Sequence, residues 1–123
     1  MNDISAFAVP GKASVLVGGQ FGSEAKGLIA AHIALNLDKK VTSSCDVIST
    51  TNAGAQAGHT TILEDGTKFV CYHLPTIGVL SPDAIIYINA GSIIDIELLR
   101  HEIMSVSGAT HEPLEHIAKR IVI

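Results

Sequence analysis

An α/β fold, with helices flanking a mostly parallel sheet, is what this sequence predicts, and three observations predict it. Two apolar runs rich in β-branched residues, SVLVG and AIIYINAG, end in glycine, as buried parallel strands do where they enter a tight loop. Each precedes a segment of helical composition, EAKGLIAAHIALNL after the first and SIIDIELLRHEIM after the second. Between them, Asp65 and Gly66 separate two β-prone stretches, the short-range signature of an inserted antiparallel hairpin.

The first strand is expected over residues 14–18, followed by the loop GGQFGSE. Ser23 is placed to cap the next helix, residues 24–37, whose apolar residues run nearly all round, as in a helix packed against a sheet. His32 shares a face there with Ala25, Leu28, Ile29 and Asn36, which assigns it to packing. CDVISTTN reads as a second strand leading into the small-residue loop NAGAQAGHT, and the hairpin occupies TTILEDGTKFVCYHL. Another buried strand is expected over residues 84–89, after which Ser92, with Asp95 three residues on, opens a helix. A short helix over residues 113–119 follows, with His101, His111 and His116 on the surface of these late helices. Ile121, Val122 and Ile123 read as the start of a buried strand with no loop or cap after it, so the sheet is expected to be incomplete at its C-terminal end.

Length and composition bound the function. The 123 residues fit one domain, residues 1–123, and 47% hydrophobic against 16% charged residues excludes a disordered chain. A net charge of -4 with scattered basic residues excludes a nonspecific nucleic-acid binder. The N-terminus lacks a basic leader region, and the apolar stretches are too short and too interrupted by glycine to span a bilayer, so a cytoplasmic protein without membrane contact is expected. Cys45 and Cys71 lack C-x-x-C spacing and are read as reduced, buried thiols.

A strand, a glycine-rich turn and a helix opening at a lysine make an anion site, because turn amides and a helix N-terminus both present N–H groups. GGQFGSEAKG has this form. It is not a P-loop by pattern, having three residues between Gly22 and Lys26 and no Ser or Thr after the lysine, and it is not the dinucleotide fingerprint. Physics alone leaves a phosphate site and a plain strand-to-helix turn equally open. Gln20 and Glu24 face the same choice: an amide there can orient a ligand, while an acidic residue in a first helical turn is stabilising without any chemical role. In the second loop Gly54 and Gly58 allow close backbone approach, and His59 brings an imidazole able to exchange a proton near neutrality.

Four collinear segments resemble the N-terminal part of the adenylosuccinate synthetase family. GGQFGSEAKG resembles its G-T-Q-W-G-D-E-G-K-G-K, QAGHT its N-A-G-H-T, HLPTIGVL its H-L-I-P-S-G-I-L, and INAGSIIDIELLRHEI its I-G-N-G-V-V-L strand and following helix. The resemblance implies a P-loop-like α/β fold and a C–N ligase that joins L-aspartate to C6 of a purine monophosphate, using a nucleoside triphosphate and magnesium. The 6-oxygen is phosphorylated and then displaced by the aspartate amine. On that reading Gln20, Gly22, Ser23, Glu24, Ala25, Lys26 and Gly27 would bind the transferred phosphate, with Gln56, Gly58 and Thr60 of the second loop beside them. His59 would be the general acid at the 6-oxygen, and the Gly58 carbonyl, with Ser23, would hold magnesium. The resemblance also implies a homodimer when the enzyme is full length.

Three positions depart from the family pattern. Ala25 replaces a glycine, Leu28 a second lysine, and Ser23 the aspartate that serves as base on N1. A serine is not a carboxylate base at neutral pH, and it makes room for a guanine 2-amino group. Ser23 therefore resembles the phage-type 2-aminoadenylosuccinate synthetase branch, which acts on dGMP in the host cytoplasm. The other readings are a conventional enzyme acting on inosinate (IMP) and a noncatalytic nucleotide-binding remnant. The phosphate donor stays open between GTP and ATP, and the chain alone is expected to be inactive.

Overall fold

The computed structural model describes residues 12–22, 24–36, 48–49, 55 and 57–123. The elements run α1 (Lys26–Leu35), β1 (Ile48–Ser49), β2 (His59–Ile62), β3 (Lys68–Cys71), α2 (Thr76–Leu80), β4 (Ile85–Tyr87), α3 (Ile96–Thr110), α4 (Leu114–Lys119) and β5 (Ile121–Val122). The fold is mixed α/β. A three-stranded sheet has the order β1-β4-β5 with both pairs parallel, and β2 and β3 form a separate antiparallel hairpin.

The hairpin forms where the Asp-Gly signal places it. Gly66 takes φ +86, a left-handed conformation that costs a glycine little. The Asp65 carboxylate accepts from the Thr67 amide and hydroxyl, each at 2.8 Å, and these bonds hold its carboxyl below the ordinary range. In the parallel sheet Ile86 of β4 pairs with Ser49 of β1 on one side and with Ile121 of β5 on the other. Ile86 makes the core together with Cys71, Leu74, Val79, Val106 and Ile117, and Leu99, Ile103 and Ile121 lie against them. The expected C-terminal strand is thus present as β5, although it spans two residues.

Arg120 ties the C-terminal half together. Its Nη1 donates to the carbonyls of Gly78, Ser81 and Ala84 at 3.0, 3.2 and 2.7 Å, while Nε and Nη2 donate to the two Glu112 oxygens at 2.9 and 2.8 Å. One buried guanidinium thereby satisfies the end of α2, the approach to β4 and the carboxylate before α4, the planar-fork geometry that arginine provides and lysine does not.

Several expectations are corrected. Residues 14–18 form no strand, and Val15 and Val17 are 82% and 79% exposed. A strand exists only through its ladder, and no strand lies beside this run among the described residues. Helix α1 starts at Lys26, not residue 24; Ala25 is its N-cap, with no side-chain cap bond, and Ser23 lies outside the described residues. Among the described residues α1 lies mainly against α2 and not on a sheet; within the helix only Ala31 is buried, and Leu28, Ile29 and Leu35 are exposed. His32 is exposed rather than packed, bonded through Nδ1 and its carbonyl to Asn36. Ser92 caps no helix; its hydroxyl closes a turn onto Asn89 Oδ1 at 2.8 Å, and Asp95 caps α3 by accepting from the Leu98 amide at 3.0 Å. Of the second strand only residues 48–49 are described, and Cys45 lies outside the description.

Cys71 is the buried, free thiol expected. Burial, with the Glu102 charge adding to it, pushes this thiol up to about 12 from 9.0. The protonated form is the one the fold favours, so this contribution to stability is whole below 9.0 and is lost as pH rises toward 12. Native Cys71 is accordingly expected to resist iodoacetamide at pH 8 and to react at an unfolded thiol's rate in urea, as read by peptide mass mapping that separates it from Cys45. Labelling of the native chain at the unfolded rate would contradict its burial.

Candidate functional site

The first glycine-rich loop closes on an anion of its own. The Gln20 amide donates to Glu24 Oε1 at 2.5 Å, and Lys26 Nζ donates to Glu24 Oε2 at 2.7 Å. The Lys26 bond chiefly, then the Gln20 amide and more weakly the Gly19 amide, hold the Glu24 carboxyl below its ordinary value, although desolvation opposes them. Gly18 lies so close under this pair that a Cβ there would collide with the Glu24 carboxylate and come within 2.8 Å of Lys26 Nζ. The Gln20 amide and the Lys26 ammonium therefore hold the two carboxylate oxygens, with the Gly19 amide close by, so the loop presents donors to an anion.

The loop's backbone shows what one departure from the family pattern costs. Gly22 takes φ +116, and Ala25 takes φ 55 and ψ 26, the left-handed region. That conformation costs a residue with a Cβ about 1–2 kcal/mol, so glycine is the unstrained choice where this chain has alanine. Its carbonyl still accepts from the Ile29 amide at 3.0 Å to begin α1.

His59 is half-buried at the start of β2, directly opposite Cys71. Burial lowers its pKa from 6.5; the Glu102 carboxylate opposes that and Lys26 adds to it. Both charges thus act on the imidazole, which brings the second loop within electrostatic range of the first. Gly58 packs against Val70 and Tyr72, where a Cβ would stand 2.8 Å from Val70 Cγ1. Thr60 is exposed on the opposite hairpin face from His59. Ser23 and Gln56 lie outside the described residues. The structure therefore gathers Gln20, Glu24 and Lys26, sets His59 within reach of the Lys26 charge, and places Thr60 on the other hairpin face.

Magnesium finds only part of a site. Among the described residues no three His, Cys, Asp or Glu side chains converge. The Gly58 carbonyl is a neutral oxygen, and the Glu24 carboxylate is engaged by Lys26. That set does not hold a small, strongly hydrated divalent cation without oxygens from elsewhere.

A second group of residues escaped the sequence reading. The Glu102 side chain, 3% exposed, accepts from the His73 amide at 3.1 and 3.2 Å, from the Leu74 amide at 3.1 Å and from His73 Nδ1 at 2.9 Å. The Asp95 amide lies 3.1 Å from His73 Nε2 and can only donate, so Nε2 accepts and Nδ1 carries the proton shared with Glu102. In the sequence, Glu102 looks like one more charged position on a helix; no local pattern marks a carboxylate that holds the bend after β3, 28 residues upstream.

Comparison with known proteins matches the adenylosuccinate synthetase family over residues 15–123. The chain is similar to the adenylosuccinate synthetase of Thermococcus sibiricus, 36% identical over 89 residues, covering 72% of this chain and 24% of the relative. It is also similar to an N6-succino-2-amino-2'-deoxyadenylate synthase of Salmonella phage PMBT28, 43% identical over 95 residues, 76% of this chain and 24% of the relative. A third relative is adenylosuccinate synthetase 2 of Cupriavidus pinatubonensis, 37% identical over 98 residues, 80% and 20% of the two chains. The chain thus spans a fifth to a quarter of the length of these curated relatives. No helix among the described residues is long and apolar enough to cross a membrane.

Proposed function

Because the chain belongs to the adenylosuccinate synthetase family, we propose that residues 1–123 act as one phosphate- and nucleotide-binding segment of a purine nucleotide:L-aspartate ligase with a P-loop-like fold. The observation that carries this reading is the loop's grip on the Glu24 carboxylate. Amides and an ammonium already arranged around one anion need little reorganisation to accept another, and preorganised donors are what phosphoryl transfer requires of a protein. An incoming phosphate displaces Glu24 and takes its bonds from Gln20, Gly22 to Gly27 and Lys26. His59 donates to the purine 6-oxygen as charge gathers there, with Glu102 countering part of the burial that lowers its proton affinity. The γ-phosphoryl group of GTP or ATP passes to the 6-oxygen, and the amine of L-aspartate then attacks C6, forming the C–N bond as the C6–O bond breaks and inorganic phosphate leaves.

Ser23 favours dGMP over inosinate as the acceptor, since a serine leaves space and a hydrogen-bond acceptor for a 2-amino group. The name of the Salmonella phage relative agrees with that choice, and those of the cellular relatives with inosinate. A cytoplasmic homodimer is part of the same proposal.

The test is pyrophosphate binding to the chain, followed by ³¹P NMR. Lys26→Met is expected to weaken it about tenfold or more, the equivalent of one charge-assisted hydrogen bond. Glu24→Gln is expected to strengthen it, because an uncharged side chain competes poorly for the amides. Equal binding by the wild-type chain and Lys26→Met would overturn the phosphate-loop reading.

A further inference from the structure

The segment HLPTIGVL has no role in the site as described, yet it meets the phosphate loop at one point. Gly27 is the second residue of α1 and Thr76 the first of α2. A Cβ on Gly27 would lie 2.7 Å from Thr76 Oγ1 and 3.5 Å from Thr76 Cβ, so the backbone of α1 rests directly on the threonine side chain. Thr76 is 7% exposed and has little freedom to withdraw. Alanine is a better helix former than glycine; the occupied space is what makes glycine the fitting residue here.

Thr76 is itself held from behind. Glu102 fixes the amides of His73 and Leu74, Leu74 is fully buried, and Pro75 supplies the extended N-cap of α2 with φ -69 and ψ 148. Gly78 lets α2 seat closely against Ile86 of β4. A rigid path therefore runs from the core through Thr76 to the first turn of α1, where Lys26 sits next to Gly27.

We propose that Thr76 is a positioning residue of the phosphate loop: by its volume against Gly27 it sets the place of the first turn of α1, and so where Lys26 and the loop amides meet an anion. The proposal rests on the phosphate-loop reading above. In this role Thr76 acts through α1, which separates it from direct binding.

Pyrophosphate titration of the 123-residue chain and of four variants, with the backbone amide resonances of Lys26 and Gly27 followed by NMR, tests it. Gly27→Ala is expected to weaken binding about tenfold, since small misplacements of binding groups carry losses of this order or larger. Thr76→Val, which keeps the branched volume, is expected to bind within about twofold of wild type. Thr76→Ala is expected to shift the Lys26 amide and weaken binding severalfold. The double variant with Gly27→Ala and Thr76→Ala should recover affinity relative to Gly27→Ala alone, because the new methyl then has room. Failure of that recovery, or Gly27→Ala binding like wild type, overturns the proposal; weak binding by Thr76→Val overturns it in favour of a direct hydroxyl contact. If the wild-type chain binds no pyrophosphate while the Lys26 amide still responds to Thr76→Ala and is unmoved by Thr76→Val, the phosphate reading falls and the positioning contact stands.

Discussion

Glu102→Ala is expected to destabilise the fold by about 3 kcal/mol or more, since each buried donor left without an acceptor costs about 1–3 kcal/mol. The carboxylate accepts from three donors, the amides of His73 and Leu74 and His73 Nδ1, and its side chain is 3% exposed. Alanine would leave all three buried without an acceptor and open a cavity between α3 and the segment after β3. Small domains are stable by roughly 5–15 kcal/mol in all, so such a loss leaves the native state thinly populated. Glu102→Gln keeps one acceptor oxygen but turns an NH₂ group toward donors, and an intermediate loss of about 1–3 kcal/mol is expected. Urea unfolding followed by circular dichroism measures both. A midpoint for Glu102→Ala close to that of the wild-type chain would show that Glu102 is not the hub joining α3 to residues 73–74.

His59→Ala is expected to lower kcat by about 10²–10⁴-fold, the scale of a general acid, with a much smaller change in KM. Donation to the 6-oxygen matters most in the transition state, so its loss falls on turnover more than on binding. The measurement is succino-purine formation by the complete ligase that includes this segment, given L-aspartate, magnesium and a nucleoside triphosphate. Running it with dGMP and inosinate in competition reads the acceptor choice assigned to Ser23 in the same assay. A variant whose kcat stays within a few-fold of wild type would make His59 a structural residue of the hairpin.

How far these features are legible in the residues themselves depends on how far apart the interacting groups stand. Asp65 and Gly66 announced the hairpin because turn chemistry is local: a glycine at φ +86 and a carboxylate two residues from the amide it binds. The strand near residues 84–89 and the one closing the chain were legible as short β-branched runs, and both pair in the parallel sheet. The run at residues 14–18 has the same composition and forms no strand, since composition records a preference and a strand needs a neighbour in register. Helix starts were misplaced by two to four residues for the related reason that several polar side chains competed for the cap. Asp95 won α3 over Ser92, and α1 begins at an alanine in a left-handed turn with no cap bond.

The candidate site divides along the same line. That GGQFGSEAKG could hold an anion, and that the second loop carries a proton-exchanging group at His59, follows from residue types and spacing within each loop. Which anion the loop holds in this structure, and what steadies it, does not. The Glu24 carboxylate is held because the loop folds back on itself, and Glu102, His73 and Thr76 matter through contacts between segments that only packing brings together. Residue type and spacing determine the chemistry available within a few positions of the chain. The energy of a buried carboxylate, or of a methyl against a helix backbone, depends on solvent exclusion and close approach between distant segments, and these arise only once the chain has folded.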